Sequence, residues 1–261
     1  MTSRSNDPVL ILGGTSEARE LAVALVGQGR ETISSLAGRV KDPALPQGAV
    51  ISGGFGGADG LATWLTANRC QAVVDATHPF AQRISANAVL AAGTTGTPLV
   101  RLQRPAWEPS GADRWTMADD IGAAAQMVGA RGGRVFLTTG RQDVGSFAGV
   151  RNAWFLIRVV APPEGDLPQQ HLVLRSRGPY RLDDERQLLR EHRIDLLVTK
   201  NSGGEHTRAK LRAAADAGIE VIVVRRPPVA PGCTQVASSA AALAWLDQVT
   251  GQAPDSTKAS S

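Results

Sequence analysis

Short β-branched runs alternate with Ala- and Leu-rich stretches of helical spacing along most of the chain. VLIL (9–12), ETISSLA (31–37), QAVVD (71–75) and TPLVRL (97–102) read as strands. SEARELAVALVGQG (16–29), GADGLATWLTANR (57–69) and PFAQRISANAVLAAG (79–93) read as the helices between them, the last starting at Pro79 and closing at Gly93. The order is βαβαβαβ, which demands a parallel sheet with right-handed crossovers. That pattern, more than any single motif, limits what the chain can become.

The second half repeats the style with an interruption. RVFLTTGR, WFLIRVVAPP, DLLVTK (195–200) and EVIVVRRPP read as strands, and HLVLRSRGPY as a strand or extended segment. YRLDDERQLLREHRI, GEHTRAKLRAAADAG and SSAAALAWLDQVT read as helices. Two proline-rich stretches, RPAWEPSG (104–111) and RRPPVAPG (225–232), punctuate the chain. The first coincides with a change in charge balance, which places a boundary between residues 101 and 118. The expected division is a Rossmann-like unit over 1–104, a second over 105–250 and a disordered tail over 251–261.

Composition narrows the function classes. Residues 1–100 carry seven basic and seven acidic side chains, whereas residues 101–250 carry twenty and sixteen. Of the 28 basic residues, 24 are arginine, the side chain best shaped for carboxylate or phosphate, although a compositional bias of the genome gives the same ratio. With 4% aromatics and no long basic run, nucleic acid is a poor partner. The apolar stretch PVLIL is too short for a signal peptide and no run reaches membrane-span length, so a cytoplasmic location is expected. Cys70 and Cys233 lie far apart without a CxxC, against a disulfide framework or zinc site.

The polar residues cluster where strands end. In VLILGGTSEARELA, Gly13 and Gly14 let a ligand approach the backbone, and Thr15 or Ser16 can cap a helix whose first N–H groups face an anion. The fit to G-x-G-x-x-G/A is incomplete, because Thr15 stands at the middle glycine. The second strand ends in Ser34 and Ser35 with no carboxylate for a ribose 2′-hydroxyl, and Arg39 follows; hydroxyls and an arginine suit the 2′-phosphate of NADP. GGFGGADG (53–60) is either a flexible loop or a backbone wall beside the cofactor. DATHPFA (75–81) sets Asp75, Thr77 and His78 at a strand's carboxyl end, where open parallel sheets bind ligands; a polar capping turn is the alternative. RVFLTTGRQD, LRSRGPY and LVTKNSGGEHTRAK bring Arg141, Arg175, Arg177 and Lys200 to strand ends beside small residues.

ILGGTSEAREL, SLAGR, GGFGGADGLATWL, DATHPFA, the RP-x-W of Arg104 to Trp107, TTGR and VTKNSGGEHTRAKLRAA followed by VVRRP together resemble the precorrin-6A reductases of cobalamin biosynthesis. The resemblance runs in order from about residue 9 to 228. It implies a two-domain α/β protein that uses NADPH to reduce one double bond of precorrin-6A to give precorrin-6B, with the active site in the inter-domain cleft. Its partner is then an anionic tetrapyrrole, with transient contact to neighbouring pathway enzymes. Motifs and resemblance together nominate Gly13, Gly14, Thr15, Ser16, Glu17, Ser35, Arg39, Gly54, Thr77 and Lys200 for the cofactor. For the substrate they nominate Arg141, Arg175, Arg177, Tyr180, Lys200, Ser202 and Gly203. His78 and Asp75 are the catalytic candidates. Whether His78 donates a proton, bonds a ribose or orders its turn is open at this level. Two rivals stand beside this reading: an NADP-dependent reductase of another anion, and a non-catalytic NADP sensor.

Overall fold

A computed structural model describes residues 7–36, 45–163, 165–229 and 232–251. In chain order the elements are β1 (Val9–Leu12), α1 (Ser16–Gly27), β2 (Thr32–Leu36), β3 (Ala49–Ser52), α2 (Ala58–Ala67), β4 (Ala72–Asp75), α3 (Gln82–Thr95) and β5 (Leu99–Leu102). Then follow β6 (Arg114–Ala118), α4 (Ile121–Arg131), β7 (Gly133–Leu137), a 3₁₀ turn over Val144–Phe147, β8 (Ala153–Val159), β9 (His171–Arg175) and α5 (Leu182–Glu191). The chain ends with β10 (Leu196–Lys200), α6 (Ala209–Asp216), β11 (Glu220–Val224), β12 (Thr234–Val236) and α7 (Ser239–Thr250).

These elements form two compact units. Unit 1 holds residues 1–104 and 227–261; unit 2 holds Pro105–Arg226. Each contains a six-stranded sheet, ordered β12-β5-β4-β1-β2-β3 in unit 1 and β6-β11-β10-β7-β8-β9 in unit 2. Every pairing is parallel. The α/β class with two Rossmann-like sheets is therefore present as read.

The expected boundary of 105–250 is corrected at its far end. β12 pairs with β5, and Ala242 and Leu246 of α7 are buried in the core under β1 and α1. Apolar burial decides where that last segment belongs. The expected tail over 251–261 lies, apart from Gly251, outside the described residues.

Side-chain alternation builds the core of unit 1. Val9 and Ile11 face Leu21, Leu25 and Leu246, while Leu10 and Leu12 face Leu61, Leu65 and Ala91 on the other side of the sheet. Unit 2 gathers Phe136, Leu156, Leu189, Leu197 and Val223 into one cluster.

Four elements escaped the sequence reading: β3, β6, α4 and β12. The three strands are sheet edges, their burial is mixed or low, and none has an apolar run longer than three residues. Three helix ends also differ. α3 starts at Gln82, because Ala81 N–H bonds His78 C=O and makes Pro79 and Phe80 a turn. It runs past Gly93 and stops at Gly96 in the left-handed region. α6 starts only at Ala209, after a turn over 206–208.

Candidate functional site

A doubly wound sheet binds ligands where consecutive connections leave in opposite directions. In unit 1 that point lies between β1 and β4, since β2 and β3 extend one way and β5 and β12 the other. The GGT turn and the DATHP turn are its two lips. Thr15 joins them: it is the N-cap of α1, accepting from Ala18 N–H at 3.1 Å, and its hydroxyl donates to Ala76 C=O at 2.7 Å. Ser16 contributes its hydroxyl to Glu17 at 3.1 Å instead of capping.

The glycines suit a close approach. Gly14 has φ 114°, a conformation side chains disfavour, and a Cβ there would meet nothing within 4 Å, leaving open space above the turn. Gly13 N–H bonds Ser35 C=O at 2.9 Å, which brings the end of β2 beside the turn. The Ser34 hydroxyl is buried without a hydrogen-bond partner among the described residues. These features fit a dinucleotide whose phosphates face the start of α1.

Glu17 conflicts with a phosphate there unless its charge is compensated, and Arg104 compensates it at 2.6 Å. Burial pushes the Glu17 carboxyl up, but a backbone N–H and then Arg104 outweigh it and hold the group below its ordinary range.

The second lip is fixed more tightly than its sequence suggests. Asp75 is buried; its Oδ1 accepts the Thr77 N–H at 3.1 Å and the Thr77 hydroxyl at 2.6 Å, and its Oδ2 pairs with Arg101. Arg101 also reaches Ser85 of α3 and, at 2.9 Å, Gln103. With both oxygens engaged, Asp75 holds the turn and is not placed as an open acid. The half-buried His78 accepts the Phe80 N–H on Nδ1 at 3.3 Å, so its neutral ring carries the proton on Nε2. A cleft lined by Pro79, Gln82, Ser85, Arg101 and Pro227 opens beside it. Gly54 is exposed in the loop after β3. Arg39 lies outside the described residues.

Unit 2 has its own switch point between β7 and β10. β7 is followed by a four-residue 3₁₀ turn, where β1 is followed by a twelve-residue α-helix. Lys200, at the end of β10, pairs with Asp143 at 2.5 Å. Beyond it, Gly203 packs so closely that a Cβ would lie 2.1 Å from Pro105 C=O. The Ser202 hydroxyl turns back to Lys200 C=O at 3.5 Å, and Arg141 is half-buried after β7. Arg175 and Arg177 are exposed around a shallow hollow with Val160 and Ser176. Tyr180 donates to Ser176 C=O at 3.1 Å.

Several supporting residues were missed by sequence reasoning. Arg158 is buried, forms a bidentate pair with Glu185 and lies 3.8 Å over the Tyr180 ring, bracing the RSRGPY segment. Asn201 makes a reciprocal pair with the Trp107 backbone, at 2.8 and 3.0 Å. Such partners stand up to 94 residues apart, beyond any local pattern. The buried Cys70 thiol is pushed up to about 11 by burial and then by Asp7. Burial, followed by Asp75, raises Cys233 as well. Both thiols are free, and neither is set up as a nucleophile. Among the described residues no helix is long and apolar enough to cross a membrane.

Fold and site define a doubly wound, dinucleotide-type α/β protein with two switch points. More specifically, the chain belongs to the family described as Precorrin-6x reductase CbiJ/CobK, whose model matches residues 8–247. It is a reductase family. A Rhodococcus erythropolis protein named precorrin-6A reductase is 52% identical over 243 residues, covering 93% of this chain and 98% of that one. A Mycobacterium tuberculosis protein of the same name is 52% identical over 240 residues, covering 91% and 96%. A solved structure titled CobK precorrin-6A reductase superposes with a TM-score of 0.88 at 40% identity, covering 93% of this chain and 96% of that one.

Proposed function

We propose that this chain reduces one double bond of precorrin-6A with NADPH, giving precorrin-6B in cobalamin biosynthesis. The observation that carries the reading is the unit 1 switch point: a glycine turn and a histidine turn held lip to lip by the Thr15–Ala76 hydrogen bond, in a chain 52% identical to named precorrin-6A reductases. NADPH is preferred to NADH because β2 carries Ser34 and Ser35 near its end and no carboxylate, where an NAD site sets one. Arg39 follows as the proposed reader of the 2′-phosphate.

The bound nicotinamide supplies a hydride, and the macrocycle takes that hydride and one proton across the reduced bond. This chain's residues do the rest. Gly13, Gly14 and the first turn of α1 receive the phosphates, while Ser16, Glu17, Ser35 and Gly54 border the nucleotide. Thr77 and His78 line the reacting end, with Asp75 and Arg101 fixing their backbone. In unit 2, Arg141, Arg175, Arg177, Tyr180, Lys200, Ser202 and Gly203 serve the carboxylates of the ring; a guanidinium matches that group in shape and charge.

The test is oxidation of NADPH by the purified protein with and without precorrin-6A, followed by nicotinamide absorbance and by the mass of the macrocycle. A two-hydrogen mass gain matched one-to-one to NADPH consumed is the expected result. Binding of NADPH without turnover would instead identify a sensor, and the reading would fall.

A further inference from the structure

The polar segment after β7 contains one carboxylate that no role above requires. Asp143 leads into the 3₁₀ turn through its backbone, with Ser146 N–H bonding its C=O at 3.1 Å, but its side chain makes no capping hydrogen bond. Its Oδ2 is buried and has no hydrogen-bond partner among the described residues, although Lys200 Nζ lies 2.5 Å away. The contact is a close pairing of opposite charges. Both side chains keep some exposure, 17% for Lys200 and 19% for Asp143. They come from the segments that follow or end β7 and β10, the two strands of the unit 2 switch point, where a ligand is expected. In the same segment Thr139 is buried with its hydroxyl equally unpartnered.

We propose that Asp143 is an internal stand-in for a ligand carboxylate: it occupies Lys200 until a carboxylate of the incoming ligand displaces it. This rests on the substrate role given to Lys200 above. The physical argument is one of exchange. A partly buried lysine loses water as a ligand arrives and needs a negative partner. A carboxylate-bearing ligand replaces Asp143 with little net change in charge interaction. A neutral ligand would have to leave the pair intact or strand both charges, so Asp143 acts as a specificity-determining residue. On product release Asp143 returns to Lys200, which keeps the lysine from holding the product. Because the Asp143 side chain supports no turn or cap, its removal tests exchange and not folding.

The experiment measures KM for precorrin-6A and for NADPH at low and moderate salt in wild type, Asp143→Asn, Asp143→Ser and Lys200→Met. Melting temperature reports on folding. Freed from its competitor, Lys200 should bind the substrate more tightly, and both Asp143 variants should lower KM for precorrin-6A by about threefold to fivefold. Their KM should also rise more steeply with salt than that of wild type, while KM for NADPH stays put. Lys200→Met should raise KM for precorrin-6A. If Asp143→Asn and Asp143→Ser leave that KM unchanged or raise it while Lys200→Met raises it, the exchange idea is overturned and the substrate site stands. Should Lys200→Met leave it unchanged too, the assignment of Lys200 to the substrate falls along with the exchange.

Discussion

His78 is the side chain of unit 1 whose role in the proposed chemistry can be tested most directly. Its Nδ1 is committed to the Phe80 N–H at 3.3 Å, the bond that an asparagine makes when it caps its own turn. His78→Asn should therefore keep the DATHP turn closed. An essential proton donor would cost about 10²-fold to 10⁴-fold in turnover. We expect kcat to stay within about tenfold of wild type in single-turnover assays, with NADPH affinity nearly unchanged. A larger loss of kcat in a folded variant would make His78 the acid. Glu17 poses a different problem, because a carboxylate beside a phosphate site must be neutralised. Arg104, 87 residues away, does so. The folded Glu17 titrates below its ordinary value of 4.5, so the pairing stabilises the protein above that pH and is lost as pH falls through the folded value. Arg104→Ala should cost about 1 kcal/mol near neutrality, and the gap from wild type should close in acid, below the ordinary glutamate range. Denaturant unfolding at two pH values measures this. A gap independent of pH would mean that Arg104 acts by packing.

The loop after β10 is held by a single residue type that local pattern does not explain. Asn201 is buried and mimics a strand partner for Trp107, whose indole N–H bonds Gly204 C=O at 2.8 Å; Arg226 in turn donates to Asn201 C=O at 2.7 Å. The RP-x-W and TKNSGG motifs thus belong together because one pins the other. Asn201→Ala leaves the Trp107 N–H and C=O unpaired in a buried place, at a cost of about 2–4 kcal/mol. The melting temperature should fall by several degrees, and a neutral shift would remove Asn201 from the loop's support. At this scale the sequence was informative wherever a strand was buried on both faces. VLIL and AVVD are wholly buried, and each announces both a strand and the polar turn that follows it. It was silent where strands lie at sheet edges, because β3 and β12 owe their pairing to backbone hydrogen bonds and have no apolar run longer than three residues. Gly13, Gly14 and Thr15 stood out because they follow a buried strand directly, and Lys200 because it ends one; the roles given to them are proposals. Arg101, Arg158 and Asn201 were not, since their purpose is a partner distant in sequence.

Charge and connectivity meet at the scale of the whole molecule. Counted on the structural units, unit 2 carries 18 basic and 15 acidic residues and unit 1 carries 10 and 9, so the asymmetry is smaller than a division at residue 100 suggests. Several unit 2 arginines are paired internally, as in the Arg158–Glu185 and Arg186–Asp216 pairs. Exposed Arg175 and Arg177 therefore matter more for an anionic ligand than the arginine total does. Connectivity has the sharper consequence. Unit 1 is completed from the far end of the chain: β12 covers the edge of β5, Leu246 is fully buried, and Arg30 bonds Asp247 at 2.9 Å across 217 residues. A fragment ending at residue 104 would leave the apolar face of Val9, Ile11, Leu21 and Leu25 uncovered. Each large side chain kept from burial forfeits about 1.5–3 kcal/mol, and a domain's whole margin is about 5–15 kcal/mol. Fragment 1–104 should accordingly be unfolded or aggregated, whereas fragment 105–226, which contains all six strands of its own sheet, should fold and melt cooperatively. Circular dichroism of the two fragments decides the matter: a cooperative transition in fragment 1–104 would show that β12 and α7 only decorate a unit already complete.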